Sequence, residues 1–284
     1  MDPIRTTQLD LPGETINLAI GQPSPALLPL EIIEQAAAHR LRKNPDLLAY
    51  GYEQGDGHFR RTLAGFLSDA FGAGVDARSL FITAGASQGL DLICTLFTSP
   101  GDTVLVEDPT YFLALRIFAD HGLNIVGVPI DESGLIIPAL EEQLAKTKPA
   151  FMYTIPTFHN PGGCVLAAER RQELVDISRK RNLPVVADEV YHLLNYSTEL
   201  PLPLACHADK APILSLGSFS KVLAPGLRLG WIQTGHHFMT RLKSCGLMDS
   251  GGGLNPFTSN VVGSAIKLGF QQQHLVIRPP HLQT

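Results

Sequence analysis

The chain is poor in cysteine, with four among 284 residues. Cys94, Cys164, Cys206 and Cys245 lie far apart, with no CxxC pair and no metal-ligand spacing. That excludes a disulfide-stapled scaffold and a cysteine-based zinc site, and predicts reduced thiols in a cytosol-like compartment. Each cysteine reads as a small core hydrophobe. No apolar run reaches the roughly 18 residues of a membrane helix. The opening MDPIRTTQLD has no apolar signal-peptide core. Positive charge is in deficit: 22 Lys and Arg stand against 27 Asp and Glu, for a net charge of -5. A surplus of that sign gives no footprint for nucleic acid or anionic lipid. Charged residues make up only 17% and hydrophobic ones 44%, enough for a sizeable core. The length allows one large domain, or one and a piece of another. Internal repeats and low-complexity linkers are absent too.

What the chain does have is alternation. SLFIT (79–83), TVLVED (103–108), NIVGVPI (124–130), AFMYTI (150–155), PVVADE (184–189) and PILSLGSF (212–219) read as strands. Residues 86–97, 110–121 and 167–182 read as helices, with Ser99-Pro100-Gly101-Asp102 breaking the first and Gly122 ending the second. Apolar strands separated by helices predict an α/β fold with a mainly parallel sheet covered on both faces. Ligands of such sheets bind beyond the carboxyl ends of the strands. The chemistry-bearing residues fall at those ends.

The densest such end is SFSKVLAPGLRLGW, 218–231. Lys221 sits among apolar residues, with hydroxyls at Ser218 and Ser220 and with Arg228 beyond the Pro225-Gly226 turn. A lysine can form a Schiff base with an aldehyde cofactor. Hydroxyls and an arginine can hold that cofactor's phosphate. A strand, turn and strand with a solvated lysine is the bland alternative. TAGASQGLDL, from Thr83, ends a strand in a small-residue turn and starts a helix near Ser87. Free N–H groups and the helix dipole make such a start an anion site, though ordinary βα loops share the composition. EDPTYF (107–112) offers Tyr111 after a strand, either for stacking or as a core cap. In YTIPTFHNPGG (153–163), Pro156 and Pro161 end the strand in an irregular loop around Asn160; Asn-Pro-Gly is also a common turn. VVADEVYHLL (185–194) puts Asp188 at the end of an apolar strand, where a carboxylate is costly unless partnered. Tyr191 follows about one helical turn on. A capping carboxylate beside a core tyrosine would look the same. Glu189 and His192 read as structural.

In this order the segments resemble the fold-type-I pyridoxal 5'-phosphate (PLP) enzymes, in the class I/II aminotransferase group, from about Ile16 to about Gly269. The NPxG and SxSKxxxPGxR motifs resemble the 2-aminoadipate and aromatic aminotransferase group, and also the cofactor domain of some transcription regulators. The resemblance implies that Lys221 carries the cofactor. It implies that Ala86 and Ser87, with Ser218, Ser220 and Arg228, hold the phosphate. Tyr111 would stack on the pyridine ring, worth roughly 0.5–1.5 kcal/mol beyond area burial. Asn160 and Tyr191 would hydrogen-bond the phenolate oxygen, and Asp188 would pair with the ring nitrogen. Gly21, in INLAIGQPSP, matches a backbone position near the substrate. Tyr50, in YGYEQGDG, matches a tyrosine that reaches the phosphate of the other subunit. Tyr50 and the glycine-rich SGGGLNPF (250–257) are therefore candidate homodimer contacts.

The expected division is residues 1–45 as an N-terminal segment of the small domain or dimer arm, 46–248 as the PLP-binding large domain, and 249–284 as a Gly-rich loop, helix and atypical truncated tail. Family members continue into a small α/β domain whose arginine binds the substrate α-carboxylate fork to fork. Here AIKLGF gives way near Phe270 to QQQHLVIRPPHLQT, which has two adjacent prolines and shows no helical or strand period. Arg278 lacks the context of that arginine. The expectation is a C-terminally truncated member with the small domain largely missing, as an alternative product or a frameshifted end. With about fifteen residues ahead of the resemblance, the expectation is a chain without an upstream helix-turn-helix. The implied activity is PLP-dependent transamination between an α-amino acid and a 2-oxo acid, weakened or lost by that truncation. The alternatives are another PLP enzyme (a carbon–sulfur lyase or a cyclopropane-forming synthase) and a catalytically dead dimerisation partner. A cytoplasmic homodimer in amino-acid biosynthesis, with no nucleic-acid, membrane or metal partner, completes the expectation.

Overall fold

A computed structural model describes residues 21, 23–42, 45–194 and 199–281, with the backbone alone at 45, 46 and 277–281. Two helices come first, α1 (Leu30–Leu41) and α2 (Gly57–Phe71). Asp56 starts α2 by accepting from the Phe59 N–H at 2.7 Å, and Gly72 ends it in the left-handed region. Then β1 (Leu80–Thr83), α3 (Ala86–Phe97), β2 (Thr103–Asp108), α4 (Phe112–Asp120), β3 (Asn124–Asp131) and β4 (Gly134–Leu135) follow. After them come α5 (Ile137–Lys146), β5 (Phe151–Thr154), α6 (Ala168–Arg181), β6 (Val185–Asp188), β7 (Ile213–Ser218) and β8 (Gly230–Thr234). Four helices close the described chain: α7 (His236–Lys243), α8 (Gly246–Gly251), α9 (Pro256–Lys267) and α10 (Phe270–His281).

The strands form an eight-stranded sheet in the order β1-β8-β7-β6-β5-β2-β3-β4. Pairs β7/β6, β6/β5, β5/β2 and β2/β3 are parallel, while β8 runs against both its neighbours and β4 against β3. The α/β, mainly parallel expectation holds. Strand side chains alternate between faces. Val104, Tyr153, Val186 and Leu214 pack on the face covered by α3, α4, α7 and α8. Leu105, Met152, Ala187 and Ile213 pack on the face covered by α5 and α6. A third cluster, with Phe59, Phe219 and Trp231, ties α2 and α9 to the β1–β8 edge.

Two sequence expectations need correction. The helix expected over 110–121 starts at Phe112, because Tyr111 keeps an extended backbone after Pro109. The tail expected to lack a helical period folds as α10 from Phe270. Its inward residues are Gln271, His274 and Leu275, spaced i, i+3 and i+4, with Gln271 and His274 buried. Two of those three are polar, which hid the period. The side chain of Arg278 and residues 1–20 of the expected N-terminal segment lie outside the described residues.

Candidate active site

Strand alternation and the parallel ladders bring the ends of β5, β6 and β7 to one edge of the sheet. At the end of β6, Asp188 shares the face of Val186 and of Tyr153 on β5. The Tyr153 hydroxyl donates to Asp188 Oδ2 at 2.8 Å, and the Val190 N–H also reaches the carboxylate. Asp188 Oδ1 is buried without a hydrogen-bond partner. Burial pushes this carboxyl up from 3.8 to about 6, with Tyr153, Val190 and Lys221 pulling it down and Glu189 pushing it up.

Lys221 follows β7 by three residues. Its Nζ donates to the Gly21 carbonyl at 2.6 Å and lies 5.8 Å from the centre of the Tyr191 ring. Burial lowers the pKa of this amine, and the Asp188 charge offsets part of that. Asn160 Nδ2 lies 3.5 Å from the Tyr191 hydroxyl, at the limit of a hydrogen bond. Tyr111 is half-buried, and its phenol is pushed up to about 12 by burial, then by Tyr191 and Asp188. Lys221, Asp188, Tyr191, Asn160, Tyr111 and Gly21 thus share one neighbourhood.

The second half of the site is the start of α3. Gly85 has a φ of +94°, and no side chain caps the helix. A Cβ on Gly85 would come within 2.9 Å of Arg228 Nη2, so the guanidinium lies directly against this turn. Arg228 itself has a φ of 45°, and Asn255 Nδ2 donates to its carbonyl. Ala86 and Ser87 are the first two residues of α3, with Ser87 exposed. Ser218 Oγ accepts from the Ser220 N–H at 3.1 Å, which folds the lysine loop back on the strand. Tyr50 stands apart from this cluster, 89% exposed. Its loop packs against 251–254: a Cβ on Gly252 would collide with the Gly51 carbonyl, and one on Gly253 with that of Tyr52. The two segments named as dimer contacts therefore meet.

Sequence reasoning missed four supporting residues. Tyr153 was hidden in an apolar strand, where a tyrosine reads as core. Glu107 is buried and accepts from Thr154 Oγ1 at 2.8 Å and from the Ile155 N–H at 2.7 Å. His159 Nδ1 accepts from the Gly162 N–H, so Nε2 carries the ring proton. That nitrogen lies 3.2 Å from Glu107 Oε2, close enough to interact but off the line of a hydrogen bond. Glu107 and His159 thus brace the loop that carries Asn160. Buried Arg171 donates to the carbonyls of Leu166 and Pro156 and to Thr157 Oγ1, bracing the same loop from α6. A charged letter closing an apolar run was the available signal for Glu107, whereas Arg171 sits among the polar letters ERRQE and gave none.

The residues present fit the cofactor that the resemblance implies. A buried carboxylate oxygen without a donor is costly until one arrives, and a pyridine ring nitrogen that carries a proton is such a donor. The arginine against an uncapped helix start suits a phosphate. The amine with lowered proton affinity suits an aldehyde. Among the described residues, no His, Cys, Asp or Glu group could hold a metal ion, and no helix is long and apolar enough to cross a membrane.

Residues 13–248 match the family described as aminotransferase class I and II. An aromatic-amino-acid aminotransferase of Thermococcus litoralis is 35% identical over 81% of this chain and 57% of its own. The uncharacterized HTH-type transcriptional regulator YdfD of Bacillus subtilis is 30% identical over 92% of this chain and 54% of its own. The crystal structure of the kynurenine aminotransferase of Pyrococcus horikoshii superposes with a TM-score of 0.84 at 30% identity, covering 92% of this chain and 65% of that one. The chain spans little more than half the length of the two curated relatives.

Proposed function

The chain belongs to the class I and II aminotransferase family, and from that premise we propose that it transfers an amino group from an α-amino acid to a 2-oxo acid with pyridoxal 5'-phosphate as cofactor. The observation that carries this reading is the buried, unpartnered Asp188 Oδ1 in the same cluster as Lys221. The cofactor supplies an aldehyde for a primary amine and a ring that takes up electrons when the α-proton leaves. The other roles belong to the chain. Arg228 and the start of α3 bind the phosphate. Asp188 presents a negative charge to the ring nitrogen and keeps it protonated. Asn160 and Tyr191 place donors at the phenolate oxygen, and the Tyr111 ring orients the pyridine by stacking.

Lys221 holds and moves the proton at Nζ. Its lowered proton affinity keeps a larger neutral fraction near pH 7, which a base removing an α-proton needs. The 2.6 Å contact with the Gly21 carbonyl keeps that amine aimed into the site. Residues 46–248 serve as the cofactor domain in this reading. Aromatic and 2-aminoadipate-type amino acids are the first donors to test, on the likeness to aminotransferases with those names. A homodimer completes the reading, supported by exposed Tyr50 and Tyr52 on a loop rigidly backed by 251–254. The four free cysteines agree with a cytoplasmic setting.

The test uses the purified chain with pyridoxal 5'-phosphate. Borohydride reduction and peptide mapping should place a pyridoxyl group on Lys221. Nitrogen from a 15N-labelled donor should then appear in the amino acid formed from a 2-oxo acid. Label on other lysines with none on Lys221 sinks the reading.

A further inference from the structure

We propose that Tyr153 is a positioning residue for Asp188: its hydroxyl occupies Oδ2 and so reserves Oδ1 for the ring nitrogen of the cofactor. The inference rests on the function proposed above and adds a residue to it. Tyr153 is completely buried, and its hydroxyl lies 2.8 Å from Asp188 Oδ2. Its ring is fixed from two sides. The β5–β6 ladder pairs Tyr153 with Val186, two residues before Asp188. The Phe118 ring meets the tyrosine ring edge-on, with centroids 5.5 Å apart, and also packs on Phe151. A phenol held this way cannot swing to the other oxygen, and Asp188 cannot turn without losing the bond.

Two consequences follow. The carboxylate has one satisfied oxygen and one unsatisfied oxygen, so it presents a single acceptor rather than two interchangeable ones. The donor also stabilises the charged form of a carboxyl that burial drives toward neutrality. The titratable groups facing Asp188 are Tyr153 from β5, Tyr111 from the loop before α4, Lys221 from the loop after β7, and Glu189 beside it. Of these, the Tyr153 hydroxyl makes a hydrogen bond to a carboxylate oxygen, at 2.8 Å. A tyrosine serving only as core filling would leave the charge on Asp188 unaltered when its hydroxyl is removed.

The test has two arms. In the first, the chain without cofactor carries 13C-labelled aspartate carboxyls, and Asp188→Asn identifies the Asp188 signal. In Tyr153→Phe the Asp188 midpoint should rise by about one pH unit, roughly tenfold in proton affinity. Should Tyr153→Phe fail to fold, 3-fluorotyrosine at position 153, a stronger donor of the same shape, should lower the midpoint instead. A midpoint unmoved by a folded variant overturns the proposal. In the second arm, 15N-labelled pyridoxal 5'-phosphate reports its ring nitrogen. Tyr153→Phe should move that signal toward neutral pyridine at constant pH, and an unmoved signal again overturns the proposal. If the wild-type chain takes no cofactor on Lys221, the proposed function falls, while the first arm still decides the role of Tyr153.

Discussion

Asp188 and Glu189 are adjacent, both buried at the end of β6, and held in opposite ways. Alternation sends Asp188 to the face of Tyr153 and Lys221, and Glu189 to the face of α6. Glu189 Oε1 accepts from the Leu204 N–H at 2.8 Å, and Oε2 accepts from the Ala205 N–H and from Ser215 Oγ. Arg171 Nη1 lies 3.8 Å away. Both oxygens of Glu189 are satisfied by the fold itself, whereas Asp188 keeps one oxygen back. A buried carboxylate with a full set of donors is a structural clamp. One left short of donors is held by its surroundings for something that arrives later.

Replacing Asp188 should therefore remove function and spare the fold. For Asp188→Asn, amino-group transfer should fall by about a thousandfold, because the lost charge matters most as electrons move into the ring. Steady-state kcat/KM against wild type measures this, and a change under tenfold would assign Asp188 to the structural class. The same variant should help stability. The folded carboxyl binds its proton more tightly than the unfolded chain does, so its contribution is largest below about pH 4. It declines as pH rises toward about 6 and is flat above. The gap between 3.8 and about 6 is worth on the order of 3 kcal/mol. Without cofactor, Asp188→Asn should unfold at higher urea than wild type at pH 7.5, with the advantage gone at pH 4.

Glu189 should behave in reverse. Glu189→Ala strips acceptors from two backbone N–H groups and a hydroxyl and removes the nearer of the two carboxylates whose charge acts on buried Arg171. The expected loss is about 3 kcal/mol of unfolding free energy. Transfer activity per folded molecule should fall far less than in Asp188→Asn. A variant as stable as wild type but inactive would erase the distinction between the two carboxylates.

Most of this was legible in the sequence, and the gaps have physical causes. Apolar runs between helical stretches located the central strands, since parallel strands buried on both faces read as continuous hydrophobic segments. The site residues stood out because carboxylate, amine and amide letters interrupt those runs where strands end. Tyr153 did not stand out, because a tyrosine is compatible with either core or site and its partner lies 35 positions away. Glu107, His159 and Arg171 act only through contacts that the fold creates. The tail was misread because α10 turns a glutamine and a histidine inward, and a polar letter counts against a buried face whatever the chain does with it.

Gln271 gives the smallest and most pointed test. Its Nε2 donates to the Val222 carbonyl at 2.9 Å, while its Oε1 is buried without a partner, as Asp188 Oδ1 is. If an unpartnered buried atom alone marked a ligand site, Gln271 would qualify. The charge separates the two: an unsatisfied amide oxygen costs far less than an unsatisfied carboxylate. Gln271→Met removes one donor to Val222 and the unpartnered acceptor at once, in a volume that methionine fills with little strain. The two effects oppose each other, so the net loss should be about 1 kcal/mol or less by urea unfolding. A loss above roughly 3 kcal/mol would mean that α10 anchors the lysine loop through this one contact. The tail would then belong to the site rather than beside it.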